Sequence, residues 1–251
     1  MTALDAAPES SIATAPPPPA PGTVRLWSDL LCPFAHVLLH TWREARATDP
    51  ALAAIQIEHR SFPLELFNGP HVRRGTDTEA VGLGQAAPGA GFRVWAAGDD
   101  QYPNTVLLAA EAVLAASAQS RPAGEALDAA LRRAFWSQSR SIAHRAVILD
   151  VAAEVSADAA ARSADNGLDV SELARALDEG RFRAALHRDF AIASGPAIPG
   201  SPTVQLPDGT IAFNPGVDVR WEGPWAEGFP IVERFDAAEQ VALLARAAPP
   251  S

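Results

Sequence analysis

One cysteine, one methionine, one tyrosine and no lysine are found in the 251 residues of this chain. A single thiol excludes any disulfide within the chain, so covalent cross-links contribute nothing to its stability. It suits a reducing compartment, and the cytoplasm is the expected location. All 20 cations are arginines, and the 30 acidic residues leave a net charge of −10, which argues against nucleic acid or an anionic membrane surface as partners. The missing lysine, alongside abundant alanine and proline, reads as a coding bias and carries no functional weight. No uncharged apolar run reaches the roughly 18 residues at which a membrane span is expected. The first residues, Met1-Thr-Ala-Leu-Asp5, lack the basic and apolar regions of a secretory signal. With 48% hydrophobic residues the chain has the means to bury a large core.

Residues 1–22 end in the polyproline-prone stretch Ala15 to Gly22 and are expected to form a flexible tail. Thr23 to Ser28 has strand character, Pro33 suits the first position of a helix carrying Val37, Leu38, Trp42 and Ala45 on one face, and Ile55 to Ser61 is a second strand. These elements fill a first segment, 23–65. Residues 66–98 are rich in glycine and charge and are expected to be a long loop. Residues 99–195 carry helical spacing over Asn104 to Ser117, Leu127 to Trp136, Ile142 to Val155, Val170 to Glu179 and Arg181 to Ala193. The β pattern returns in 196–251: Gly200 to Leu206 and Thr210 to Phe213 flank a Pro-Asp-Gly turn, and Asp236-Ala-Ala-Glu239 resembles a capping box.

Cys32 lies at the turn between the first strand and the first helix, directly before Pro33 and Phe34. Backbone N–H groups and the positive end of a helix favour a thiolate over a thiol there, which makes Cys32 a candidate nucleophile; the alternative is a small buried hydrophobe. His36, one turn on, is placed to tune the thiol as a charged neighbour. Cys32, His36 and His40 spread along the axis by about 6 Å per four residues, so convergence on a metal is not expected. Far away in sequence, Pro199-Gly-Ser-Pro-Thr203 opens a strand with a proline, where a cis bond before Pro202 fits.

Strand, Cys-Pro at a helix start, strand, helical block, Gly-Ser-Pro-Thr, hairpin and helix is the order of an α/β thioredoxin-like fold with an inserted all-helical subdomain. Over about residues 23–247 the chain resembles the DsbA family, particularly its cytoplasmic FrnE-like branch and the related 2-hydroxychromene-2-carboxylate isomerases, through SDLLCPFA, IPGSPT, the LPDG hairpin and Asn214-Pro-Gly216. The resemblance implies that Cys32 attacks disulfides, that Pro202 is a cis-proline lying against it, and that Ser201 helps to receive an extended substrate. Pro33, Phe34, Ser201, Pro202 and Thr203 are the expected substrate-binding residues, and Cys32 with His36 the catalytic ones. The family motif is Cys-Pro-aromatic-Cys, whereas the fourth position here is Ala35.

Ala35 cannot resolve a mixed disulfide, so any redox cycle needs an external thiol such as glutathione or mycothiol. A monothiol oxidoreductase acting on a small-molecule or protein disulfide is therefore the first expectation. A glutathione- or mycothiol-dependent isomerase or transferase is the second, and a redox-inactive binding protein the third. No tightly bound cofactor and no metal are expected, and a homodimer is allowed. Asp29 is expected as a polar turn residue. Arg73 and Arg74 are placed to bind the carboxylates of a small thiol or simply to be solvated, and Trp221 and Trp225 to cover the sheet or to form an exposed recognition feature.

Overall fold

A computed structural model describes residues 15–162, 166–225 and 227–249. β1 (Thr23–Ser28) runs into α1 (Pro33–Thr48) and a short α2 (Pro50–Ala53), and β2 (Gln56–Ser61) follows. Next come α3 (Leu64–Asn68), α4 (Arg73–Ala86), α5 (Leu107–Gln119), α6 (Arg121–Trp136), α7 (Arg145–Ala161), α8 (Val170–Asp178) and α9 (Arg183–Ala193). The chain returns through β3 (Thr203–Gln205), β4 (Ile211–Phe213), β5 (Val217–Glu222) and β6 (Phe229–Phe235) to α10 (Ala237–Ala245). The main sheet has the order β2-β1-β3-β4, with β1 parallel to β2 and the other pairs antiparallel. This is an α/β thioredoxin-like fold.

β1 is almost wholly buried, whereas the edge strand β2 alternates, with Ile57, His59 and Ser61 buried and Gln56 exposed. Val24, Leu26, Ile57 and Val204 pack with Leu38, Trp42 and Leu244 on the face covered by α1 and α10. The second core lies among the helices, where Leu127, Leu131, Trp136, Ile142 and Ile148 are fully buried with Leu30 and Leu31 from the β1–α1 turn. The turn carrying Cys32 therefore leads from a strand of the first core into the second. α10 begins as its capping box demands: the Asp236 carboxylate accepts from the Glu239 N–H at 2.9 Å. Among the described residues no helix is long and apolar enough to cross a membrane.

Two expectations are corrected. The glycine- and charge-rich stretch 66–98 is not one long loop, since it contains α3 and the 14-residue α4. The glycines of α4 each disfavour a helix by about 1 kcal/mol, but they are packing positions. A Cβ at Gly75 would come within 2.6 Å of the Trp225 ring, and one at Gly82 within 3.0 Å of the Pro230 carbonyl. The β5–β6 hairpin therefore lies directly against α4 while Thr76, Glu79, Ala80 and Leu83 are buried. Of the expected tail, residues 1–14 lie outside the described residues, whereas Ala15 to Gly22 is docked and not loose. Polyproline carbonyls have no internal partners, and here those of Pro16 and Pro17 accept from Gln205 at 2.6 Å and Arg25 at 2.7 Å, with Pro19 buried.

Candidate active site

Cys32 caps the N-terminus of α1 with extended backbone (φ −80°, ψ 114°), and Pro33 occupies the first helical position, where its missing N–H is no loss. The Ser201–Pro202 bond is cis, and the Ser201 carbonyl faces the thiol, which donates to it at 3.1 Å. Thr203 is fully buried in β3 between Trp27 of β1 and Phe213 of β4, and its hydroxyl donates to the Gly200 carbonyl at 2.7 Å. It shapes the loop from inside and lines no part of the cleft.

Asp29 ties this turn together. Its backbone N–H donates to Ser201 Oγ at 2.9 Å, and its carboxylate accepts from the Leu31 N–H at 2.7 Å and the Leu64 N–H at 2.8 Å. The expected polar turn residue thus also bridges the chain after β2 and the Pro202 loop. From the helical block, the fully buried Arg132 donates to the Asp29 carbonyl at 2.7 Å and to Ser28 Oγ at 2.8 Å, and pairs with Asp128 at 2.9 Å. Trp136 Nε1 donates to the Leu30 carbonyl at 3.2 Å. A guanidinium supplies several fixed donors, which satisfies carbonyls that the turn leaves without intrahelical partners.

Above Cys32 is a cleft of about 200 Å³ lined by Pro33, Phe34, His71, Glu79, Ser201 and Trp225, among others. Three of these were not singled out as site residues from sequence: His71, Glu79 and, as a cleft wall, Trp225. The signal for Glu79 was available in the spacing of Thr76, Glu79, Ala80 and Leu83, which puts one face of α4 inside, but the three glycines masked it; His71 precedes α4 and Trp225 lies between β5 and β6, where no local spacing points to them. Glu79 is buried and accepts one side-chain hydrogen bond, from Trp225 Nε1 at 3.2 Å. Burial pushes its carboxyl up to about 8, and the Trp225 bond only partly offsets this. His71 is half-buried with its side chain turned inward, Nε2 3.8 Å from Asp29 Oδ1 and without a hydrogen bond among the described residues.

The expected thiolate is corrected. Cys32 is 2% exposed, and burial pushes its thiol up to about 12; Ser201, the Ala35 N–H and the Arg132 charge act downward without prevailing, and Glu79 adds to the rise. One turn of helix N–H groups does not offset removal of the sulfur from water. His36 is corrected as a charged tuner as well. Its Nε2 meets the Ala90 carbonyl at 2.8 Å, its ring packs edge-on against Phe92 at 4.9 Å, and burial pulls it down to about 3, so it is neutral. It belongs to the packing of α1. Arg73 is engaged by Asp77, Asp99 and the Trp95 carbonyl, and Arg74 by the Glu227 carbonyl, so neither is a free cation for a thiol's carboxylates. Among the described residues there is no cluster of three or more metal-ligating side chains.

The family described as the DSBA-like thioredoxin domain matches residues 23–220. No curated protein sequence matches the chain. Among solved structures, a probable DsbA oxidoreductase from Streptomyces coelicolor superposes with a TM-score of 0.61 at 19% identity, covering 90% of this chain and 89% of that one. The cytosolic disulfide reductase DsbM from Pseudomonas aeruginosa superposes with a TM-score of 0.52 at 20% identity, covering 76% and 87%. A 2-hydroxychromene-2-carboxylate isomerase does so at 0.52 and 15%, covering 76% and 88%. At these identities the likeness is one of fold.

Proposed function

The chain belongs to the DSBA-like thioredoxin-domain family, and from that premise we propose that it is a thiol-dependent oxidoreductase in which Cys32 works with an external low-molecular-weight thiol. The observation that carries this reading is the placement of the lone thiol at the base of a cleft, 3.1 Å from the Ser201 carbonyl, with Ala35 where a resolving thiol would stand. A solved structure of the Pseudomonas DsbM reductase is with GSH, which supports glutathione, or mycothiol as its counterpart, as the cosubstrate. Pro33, Phe34, Ser201 and Trp225 form the walls against which such a thiol or its disulfide lies.

The cycle balances without a further oxidant. Cys32 sulfur attacks a bound disulfide, a Cys32 mixed disulfide forms, and the other sulfur leaves carrying the proton that Cys32 gives up. The external thiol then attacks the mixed disulfide, regenerating the Cys32 thiol and releasing a disulfide that contains the external thiol. Incubation with oxidised glutathione at pH 9 should yield a one-to-one adduct on Cys32 by intact mass that reduced glutathione removes; no adduct would overturn the reading.

The protonated state of Cys32 favours a second reading, a glutathione- or mycothiol-dependent isomerase or transferase. There the Cys32 S–H keeps its proton and donates a hydrogen bond to the sulfur of the bound thiol, stabilising it as a thiolate. Cys32→Ser separates the two: a hydroxyl retains the donor and loses the exchange chemistry, so turnover surviving in the Ser variant and lost in Cys32→Ala identifies the second reading.

A further inference from the structure

On the side of β2 away from Cys32, a cavity of about 420 Å³ lies between α1, the N-terminal half of α6 and β2. Its polar lining is dominated by Arg43, Arg46, Arg121 and His59, with Glu125 and Asp128 the acidic members. Both carboxylates are already engaged. Glu125 accepts from Arg46 at 2.6 Å and from the Ile57 N–H at 2.9 Å, and Asp128 accepts from Arg132 at 2.9 Å, with His59 Nδ1 3.8 Å away. Neither Arg43 nor Arg121 has a hydrogen bond or ion pair through its guanidinium among the described residues. That is unusual company in a chain of net charge −10. His59 is buried, and its Nε2 has no hydrogen-bond partner among the described residues.

Two half-buried guanidinium groups without a hydrogen bond or ion pair among the described residues, beside a buried imidazole nitrogen that lacks a hydrogen bond, are arranged to receive an anion. Burial pulls Arg43 below its ordinary value, and the nearby Arg132 and Arg133 charges add to this against the pull of Asp128. A guanidinium fork matches the oxygens of a phosphate in two-point contact. The remaining walls, including Leu39, Ile57, Pro122 and Ala126, are apolar and suit a compact organic body.

We propose that this cavity binds the phosphate monoester of a small organic molecule, with Arg43 and Arg121 as the oxyanion ligands and His59 as a further donor, at a site separate from the Cys32 cleft. The direct test is isothermal titration of the full chain with phenyl phosphate, phenol and benzoate at constant ionic strength. Saturable one-to-one binding of phenyl phosphate with a Kd below about 1 mM, weakened at least about tenfold in both Arg43→Gln and Arg121→Gln, is the expected result. Arg121 starts α6 and is only half-buried, so its variant keeps the test usable if Arg43→Gln does not fold. Absence of phenyl phosphate binding, equal binding by the folded variants, or equally tight binding of phenol or benzoate would each overturn the assignment.

Discussion

Cys32 titrates where two opposing effects meet. Removal from water, together with the buried carboxyl of Glu79, pushes its thiol up to about 12, against the downward pull of Ser201, the Ala35 N–H and the Arg132 charge. Alkylation by iodoacetamide should therefore keep accelerating past pH 10 with no plateau near pH 8.5, the region where an unperturbed thiol levels off; a plateau at or below pH 8.5 would contradict the burial argument. Because Glu79 contributes repulsion when ionised, Glu79→Gln should speed alkylation at pH 9 several-fold, while a rate unchanged or lower would mean that the two groups do not sense each other. Ala35 is the other decisive residue. Restoring a thiol there, as Ala35→Cys, should permit an internal disulfide with Cys32 and confer insulin reduction that the wild type lacks; free-thiol titration and a turbidity assay read both.

At the scale of elements, the site is made by helices that come late in the chain meeting a turn that comes early. α6 brings Arg132 under the β1–α1 turn, and α4 brings Glu79 over Cys32 with Trp225 of the β5–β6 connection behind it. Arg132→Met removes the hydrogen-bonded partner of the buried Asp128 and leaves the Asp29 carbonyl with only the Cys32 N–H at 3.3 Å. Truncating one side of a buried ion pair is strongly destabilising, by about 3 to 5 kcal/mol. Urea unfolding should show a loss of that size, and Arg132→Lys should recover only part of it, because an ammonium cannot span the same set of acceptors. A loss below about 1 kcal/mol, the size expected of an exposed pair, would show that the turn is held by packing alone. α4 was read from sequence as part of a loop because propensity penalises its glycines. Close approach of the hairpin, which glycine alone permits at Gly75, decided otherwise.

For the whole molecule, the buried titrating groups set how stability follows pH. His36 has its folded value pulled down to about 3 from 6.5, so the unfolded chain binds the extra proton in acid, and stability falls as pH drops below 6.5 and on through 3. Glu79 behaves in the opposite sense. Its folded value is about 8 against 4.5, so the native state holds the proton, and stability falls as pH rises from 4.5 to 8. Equilibrium unfolding at pH 5.5 and 8.5 should show the wild type less stable at the higher pH by ~2 kcal/mol, because the ~3 kcal/mol lost through Glu79 is partly offset by the ~1.4 kcal/mol that His36 costs at pH 5.5. Glu79→Gln should reverse the sign of that difference, leaving the acid-side loss from His36, and a variant with the same decline would place its origin elsewhere.

Local chemistry alone was enough to locate the elements that begin and end the thioredoxin-like frame. β1, the start of α1 at Pro33, the β3–β4 hairpin and the Asp236 cap were legible because strand alternation, proline at a helix start, a Pro-Asp-Gly turn and a capping box are properties of a few consecutive residues. The β5–β6 hairpin, α4 and the buried Arg132 were not, because each depends on a partner far away in the chain. The same division holds within the site. That one thiol is present, that it sits before Pro33 and that no second thiol follows at Ala35 are facts of sequence and fix which redox cycles are open. Whether that thiol is ionised, whether His36 carries charge, and which carboxyl stands over the sulfur were decided only by tertiary structure, since desolvation depends on what is packed around a group and not on its neighbours along the chain.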